Sequence, residues 1–375
     1  MHHAERGLFE LRRGRLLYVT DSSGSSLVES VLLASVEGLK PETLETLRKM
    51  AQGQLRLILT RHRAQAMGLG ADVAPEVSLG LNGVSRPDEI LQLSSATGSL
   101  PMAHPDLRSA TPAEAAGLTL ARLGRLIPAV VAVPVDPLRV PALRQLLESG
   151  TVLRVSPEEV GILASEPSVE VTFVSEAPVP LEEAENARFI LFREASGLQE
   201  HVAVLIGERE TWPDPVPVRL HSACLTGDLF GSLRCDCGEQ LRRSISHFAS
   251  QGGGVLLYLS QEGRSIGLGN KFRAYTIQEG GLDTVDADCT LGFGADERRY
   301  DHAVQMLRYL GISAIQLLTN NPEKVRAMEE AGIRVLDRKA LHGTLNRHNL
   351  PYVRAKVHRA GHWLQGMLAR GIPGG

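Results

Sequence analysis

Apolar positions along the chain fall into short runs that alternate with stretches of helical spacing. In the first 175 residues, Leu16-Leu17-Tyr18-Val19 and Leu55-Arg56-Leu57-Ile58-Leu59 read as strands, and Pro41 to Ala51 reads as a helix whose proline suits the first turn. The second half is punctuated more sharply. Gly254-Val-Leu-Leu-Tyr-Leu259 is a glycine-bounded apolar run, hence a buried strand. Ala303, Met306, Leu307 and Leu310 share one helical face, closed by Gly311, and a strand from Ala314 to Leu318 follows. That strand runs into Thr319-Asn-Asn-Pro-Glu-Lys324, where Asn321 predicts an N-cap, Pro322 a first helical residue and Gly332 the helix end. Strands alternating with helices predict an α/β protein of two domains, each a mixed sheet with packed helices. Between the halves, Ser175 to Asn186 is rich in proline and acid and weak in periodicity, so the expected domains are residues 1–180 and 187–375.

The length of 375 residues agrees with two cores better than with one. A net charge of −3 supplies no broad basic field for nucleic acid, so an anionic ligand must meet a local cluster of cations and is expected to be a small molecule. Met1 to Arg15 lacks an apolar signal region and no apolar stretch approaches the ~18 residues of a membrane span, so the expected location is the cytoplasm, with no membrane partner. There is no G-x-x-x-x-G-K-[ST] sequence, which excludes a P-loop GTPase.

Three of the four cysteines crowd together as Cys224 and Cys235-Asp236-Cys237, a C-x10-C-x-C spacing that points to metal rather than to disulfides. Three thiolates with an open fourth position suit a catalytic zinc, which lowers the pKa of water toward ~7. Leu241, Ile245 and Phe248 mark a helix after Cys237, whose N-terminal dipole would favour a thiolate. The same spacing also allows three buried, reduced cysteines, or a structural site closed by a distant histidine or by Cys289.

Around this cluster, Val218-Arg-Leu-His-Ser-Ala-Cys-Leu-Thr-Gly-Asp228 and Ser232-Leu-Arg-Cys-Asp-Cys-Gly238 closely resemble GTP cyclohydrolase II. Gln261-Glu-Gly-Arg-Ser-Ile-Gly-Leu268, Asn270-Lys-Phe-Arg-Ala-Tyr275, Leu291-Gly-Phe-Gly-Ala-Asp-Glu-Arg298 and Leu317-Leu-Thr-Asn-Asn-Pro-Glu-Lys324 follow in the family's order and spacing, so the likeness spans roughly residues 190 to 365. It implies conversion of GTP to 2,5-diamino-6-(5-phospho-ribosylamino)pyrimidin-4-one, formate and pyrophosphate, the first step of riboflavin synthesis. It also implies one Zn²⁺ per chain on Cys224, Cys235 and Cys237, Mg²⁺ carried with the GTP phosphates, and a homodimer.

By the same resemblance Tyr275 serves ring opening, Asp296 accepts a proton, and Arg298 acts at the α-phosphate. The family proposal makes that arginine a nucleophile, but a guanidinium with a pKa above ~12 stays protonated, and a phosphate clamp is the better chemistry. Asp296 would also make a good N-cap for a following helix. GTP-binding positions carry over as Arg219, Leu220, His221, Ser222, Ala223, Gln240, Glu262, Gly263, Arg264, Thr284, Thr319 and Lys324. Several make sense by themselves: Thr319 and Lys324 flank a strand-to-helix turn with free N–H groups, Arg264 follows a buried strand, and a carboxylate such as Glu262 can accept two parallel bonds from guanine. Taken alone, Lys324 would read as a solvent-facing lysine on a capped helix. Three positions depart from the family pattern: Ser260 for a basic residue, Ser265 for glycine and Ala355 for threonine.

Gly14 to Val19 and Leu57 to Leu69 resemble, in diverged form, 3,4-dihydroxy-2-butanone 4-phosphate synthase. That family's acidic Mg²⁺ loop aligns with Thr20-Asp-Ser-Ser-Gly-Ser-Ser-Leu-Val-Glu29, where carboxylates have become serines. Its metal-binding histidine segment aligns with Thr111-Pro-Ala-Glu-Ala-Ala-Gly117, which has no histidine. The expectation is therefore a monofunctional cyclohydrolase with a silent first domain. The competing readings are a bifunctional enzyme that also makes dihydroxybutanone phosphate from ribulose 5-phosphate, and a non-catalytic protein that binds GTP and zinc. A pure binder has no use for Tyr275, Asp296 and Arg298 together.

Overall fold

The computed structural model describes residues 2–20, 30–70, 74–84, 86–98, 105–165 and 170–372. The chain divides into two units, one of Met1–Glu166 with Ile266–Glu297 and one of Pro167–Ser265 with Arg298–Gly375. Each holds a seven-stranded mixed sheet with packed helices. No helix among the described residues is long and apolar enough to cross a membrane.

In the first unit the strands are β1 (Leu17–Val19), β2 (Val31–Ser35), β3 (Arg56–Thr60), β4 (Glu76–Gly80), β5 (Leu107–Ser109), β6 (Ala129–Pro134) and β7 (Leu153–Val155). Their order is β5-β4-β3-β6-β2-β1-β7, antiparallel except for β1 with β7. The expected helix runs Pro41–Met50 and buries Leu44, Leu47 and Met50 against this sheet. The Thr20 to Glu29 loop lies, apart from Thr20, outside the described residues. The Thr111 to Gly117 stretch opens the helix Pro112–Leu123: Thr111 Oγ1 accepts from Glu114 N, and Glu114 accepts from Thr111 N, a capping box. Glu114 is buried and also paired with Arg108 at 2.7 Å, so its carboxylate is engaged in structure.

The second unit holds β8 (Val171–Pro178), β9 (Ala187–Glu194), β10 (Glu200–Ile206), β11 (Val216–Ser222), β12 (Gly254–Leu259), β13 (Ala314–Leu318) and β14 (Arg334–Lys339), in the order β14-β13-β11-β12-β10-β9-β8. β11 is parallel to both β12 and β13, and β13 to β14, whereas β8, β9 and β10 are antiparallel additions. The loops after β11, β12 and β13 therefore gather at one end of the parallel strands, where open α/β sheets place ligands. Asn321 caps the helix Pro322–Glu330 by accepting from Glu323 N at 3.0 Å, as the turn chemistry predicts.

Three expectations change. The Ser175 to Asn186 stretch is not a plain linker, because its start continues β8, whose backbone groups pair with β9 as far as Pro178. The proline sits at the strand's last residue, where a missing N–H is tolerated. Residues 266–297, assigned by sequence to the second domain, pack with the first unit. Asp296 is not an N-cap, since the next helix begins at Asp301.

Candidate active site

The turn after β11 carries Cys224, Cys235 lies in the loop just before the helix Cys237–Ser250, and Cys237 opens that helix. Their three sulfurs lie within 4.8 Å of one another, and Cys224 Sγ is 3.7 Å from Cys235 Sγ. A tetrahedral zinc with Zn–S bonds near 2.3 Å would separate sulfurs by roughly 3.8 Å, so the donor set fits that ion. Thiols this close oppose one another's ionisation. Hydrogen bonding to Cys224 and burial push Cys235 up to about 11 and Cys237 well above its ordinary value. That outweighs the helix dipole invoked for Cys237, and a divalent cation is what reverses the effect.

The loop is held from behind. Asp236 accepts from Lys356 Nζ at 3.0 Å, from Gln240 Nε2 at 2.5 Å and from Gly343 N at 3.3 Å. Burial alone would raise its pKa, but the Lys356 ammonium and these donors bring it down to about 2. Asp228, four residues after Cys224, accepts from Cys224 N at 2.9 Å, from Tyr258 Oη at 2.9 Å and from His221 Nε2 at 3.1 Å. Asp228, Tyr258 and Lys356 were not singled out from sequence. Asp228 stood inside the Cys-Leu-Thr-Gly-Asp motif and could have been; Lys356, 120 residues from its partner, could not.

Arg219, Leu220, His221 and Ser222 lie on β11, with Ala223 just after it. Arg219 is buried, donating to Leu318 O at 2.8 Å and to Gln240 Oε1 at 2.5 Å, and burial lowers its pKa to about 10. Its Nε, like His221 Nδ1 and Asn320 Oδ1, is a buried polar atom with no hydrogen-bond partner among the described residues. Thr319 follows β13 and accepts from Asn321 N at 3.0 Å. Lys324 is buried rather than solvent-facing, with Nζ donating to Leu220 O at 2.7 Å and lying 5.7 Å from the Tyr300 ring centre. These groups collect at the ends of β11 and β13.

Glu262, Gly263 and Arg264 follow β12. Glu262 accepts from Leu225 N at 2.7 Å and from Gly263 N at 2.9 Å, which ties this loop to the turn after Cys224. Gly263, Arg264 and Ser265 all have positive φ, at 61°, 59° and 75°. This explains why glycine suits position 265, and it marks strained backbone at a loop of the site. A cavity of about 410 Å³ beside Cys235 is lined by Gly227, Ser232, Glu239, Arg242, Thr344 and Asn346, among others.

The structure does not put every expected residue in the same unit. Tyr275, half-buried on the helix Leu268–Glu279, Thr284, first in the helix Thr284–Thr290, and the exposed Asp296 belong to the first unit. Arg298, half-buried, opens the second unit's last segment.

A second metal-capable group, Glu194, His201 and His302, is fully buried in the second unit. Ser260 N donates to His201 Nδ1 at 3.1 Å, so Nε2 carries the ring proton and donates to Glu194 Oε1 at 3.1 Å. A metal on Nε2 would move that proton to face the Ser260 N–H. The Glu194–His201 pair therefore reads as a hydrogen-bonded polar core, with the His302 ring stacked on His201 and its Nδ1 3.7 Å from Glu194 Oε1.

The family model described as GTP cyclohydrolase II matches residues 172–340. A GTP cyclohydrolase-2 of Azospirillum brasilense is 40% identical over 367 residues, covering 96% of this chain and 94% of that protein. Another, of Pseudomonas paraeruginosa, is 48% identical over 203 residues, covering 54% of this chain and 98% of that one. A solved two-domain 3,4-dihydroxy-2-butanone 4-phosphate synthase from A. baumannii covers 90% of this chain and 98% of its own at 17% identity and a TM-score of 0.34, too slight a likeness to bear on either unit.

Proposed function

The chain belongs to the GTP cyclohydrolase II family and is an enzyme of that type, and from that premise we propose that it converts GTP to 2,5-diamino-6-(5-phospho-ribosylamino)pyrimidin-4-one, formate and pyrophosphate in riboflavin synthesis. The observation that carries the reading is the trio of cysteine sulfurs set among the loops that end the parallel strands. Cys224, Cys235 and Cys237 would hold one zinc, which when bound supplies a Lewis acid and an acidified water for opening the imidazole ring.

The protein's own groups do the rest. Arg219, Leu220, His221, Ser222, Ala223 and Gln240 line the β11 side, with Arg219 supplying a buried positive charge and Gln240 orienting it. Thr319 and Lys324 meet the phosphates at a capped helix start, with Mg²⁺ entering on the substrate oxygens. Glu262, with Gly263 and Arg264, offers a carboxylate already positioned by two backbone N–H groups to face the guanine edge. Thr284 adds a nucleotide contact. Tyr275 orients water or gives a proton at ring opening, Asp296 takes a proton, and Arg298 clamps the transferring phosphoryl group. Assembly as a homodimer in the cytoplasm completes the reading.

The test is to incubate the purified protein with GTP and Mg²⁺ and to identify products by mass spectrometry, with zinc measured in the same preparation. Formate, pyrophosphate and the diaminopyrimidine with about one zinc per chain are expected. GTP left intact, or activity without zinc, refutes the proposal.

A further inference from the structure

Residues 266–297 come from the half of the sequence that carries the cysteines, yet they are built into the first unit. Their apolar side, Ile266, Ala274, Ile277, Ala287, Leu291 and Phe293, forms its own small buried cluster. Polar groups then fasten the segment to residues more than two hundred positions earlier. Thr60, the last residue of β3, donates from Oγ1 to Gly292 O at 2.7 Å. Arg63, 2% exposed, donates from Nη1 to Thr290 O at 2.9 Å, and from Nε and Nη2 to Leu93 O at 3.0 and 2.7 Å. A buried guanidinium is costly unless its donors are used, and here they join the Leu93 carbonyl to the end of the helix Thr284–Thr290.

The approach is close. Gly292 has φ +96°, and a Cβ there would sit 3.0 Å from Thr60 Oγ1 and 3.5 Å from Arg63 Cβ. Further ties flank the site residues: Asn270 Nδ2 donates to Arg125 O at 2.9 Å, Arg273 pairs with Glu37 at 3.2 Å, and Arg122 pairs with Glu297 at 3.0 Å. Tyr275 follows the first two anchors by a few residues. Asp296 lies between the Gly292 and Glu297 anchors.

We infer that Thr60 and Arg63 are positioning residues for GTP turnover, and that the first unit serves the reaction by fixing the segment bearing Tyr275, Thr284 and Asp296. The inference rests on the proposed cyclohydrolase reading for its chemistry, while the anchoring stands on these contacts alone. Holding reacting groups in register matters steeply, since a displacement of about 1 Å costs on the order of a hundredfold in rate.

The experiment uses the full chain with Thr60→Val, Thr60→Ser, Arg63→Met and Arg63→Lys. Hydrogen–deuterium exchange across residues 266–297, zinc per chain, and kcat and KM for formate release are measured. Thr60→Val and Arg63→Met are expected to speed exchange in that segment and to lower kcat roughly ten- to hundredfold, with zinc unchanged and Thr60→Ser restoring both. A loosened segment with wild-type kcat overturns the inference, and so does a segment whose protection does not change. If Arg63→Met does not fold, Thr60→Val, which keeps shape and loses one hydroxyl, decides the question. Wild-type protein that releases no formate refutes the proposed function instead, and the exchange measurement still reads the anchoring.

Discussion

Replacing Gly227 with alanine tests the cysteine cluster by adding a single methyl group. Gly227 lies in the short helical turn Leu225–Asp228, and a Cβ there would fall 2.8 Å from Cys235 Sγ, 3.1 Å from Cys224 Sγ and 3.0 Å from Cys237 Cβ. Non-bonded heavy atoms rest at roughly 3.5 to 4.0 Å, so one methyl collides with all three cysteines at once. The backbone cannot easily retreat. Gly238 packs so tightly on Gly227 that a Cβ at 238 would meet the Gly227 carbonyl oxygen at 2.1 Å.

Overpacking of this kind costs about 1 to 3 kcal/mol. Relieved by spreading the sulfurs, that strain appears as zinc affinity weakened roughly 5- to 160-fold, at about 1.4 kcal/mol per tenfold. Competition with a chromophoric chelator measures it, alongside formate release from GTP. Gly161→Ala is the control, since it sits in the helix Pro157–Ser165 with nothing within 4 Å of its Cβ, and it should leave zinc and activity unchanged. Wild-type zinc affinity and formate release in Gly227→Ala would refute the claim that these three sulfurs, in this geometry, hold the metal.

Three further outcomes are expected. Tyr275→Phe should reduce formate more than pyrophosphate, and equal losses would contradict its assignment to ring opening. Supplied with ribulose 5-phosphate and Mg²⁺, the full-length protein should form no dihydroxybutanone phosphate, because the aligned loop offers serines and Glu114 is committed to Arg108 and a helix cap; product above background would refute the silent reading. Burial, then the neighbouring His201, lowers His302 to about 4, although Glu194 and Asp301 oppose this and Arg299 adds to it. The unfolded chain therefore binds the proton first: stability is full above pH ~6.5 and falls as pH drops toward 4, by about 3 kcal/mol from this group. His302→Asn should flatten that limb in urea melts across the window, and a stability difference from wild type that does not vary with pH would refute it.

What was legible in the sequence was whatever local chemistry determines. Asn321-Pro322 specified a cap and a first turn, and the apolar run at Gly254 specified a buried strand, because both depend on residues within a few positions. The cysteines were legible for the same reason, being set on one turn and one helix start. What could not be read depends on partners far along the chain. The motifs within residues 266–297 did not show which unit receives that segment, and the groups that hold its far end, Thr60 and Arg63, lie more than two hundred positions earlier. β8 was hidden because proline and acid fit an exposed edge strand as well as a linker, and Asp296 was misplaced as a cap because four residues separate it from Asp301.

The cysteine loop also shows why a metal site needs an ordering force that is not the metal. Left to themselves, Cys235 and Cys237 resist ionising beside Cys224, and the proximity of the sulfurs gives nothing back until a cation arrives. Something else must hold them in place. Asp236, between two of the cysteines, does so with a carboxylate neutralised by a buried ammonium on the helix Leu350–His358 and hydrogen bonded by Gly343. Gly343 can be nothing larger, since a Cβ there would sit 2.7 Å from Asp236 Cβ and 2.5 Å from Glu239 Oε2. A buried ion pair adds little net stability against its desolvation, but breaking it by removing one partner is expensive, which is the property wanted where a loop must have one conformation. The helix Leu350–His358 thereby braces a cluster 120 residues upstream, so that the sulfurs are held in place by the protein's own groups.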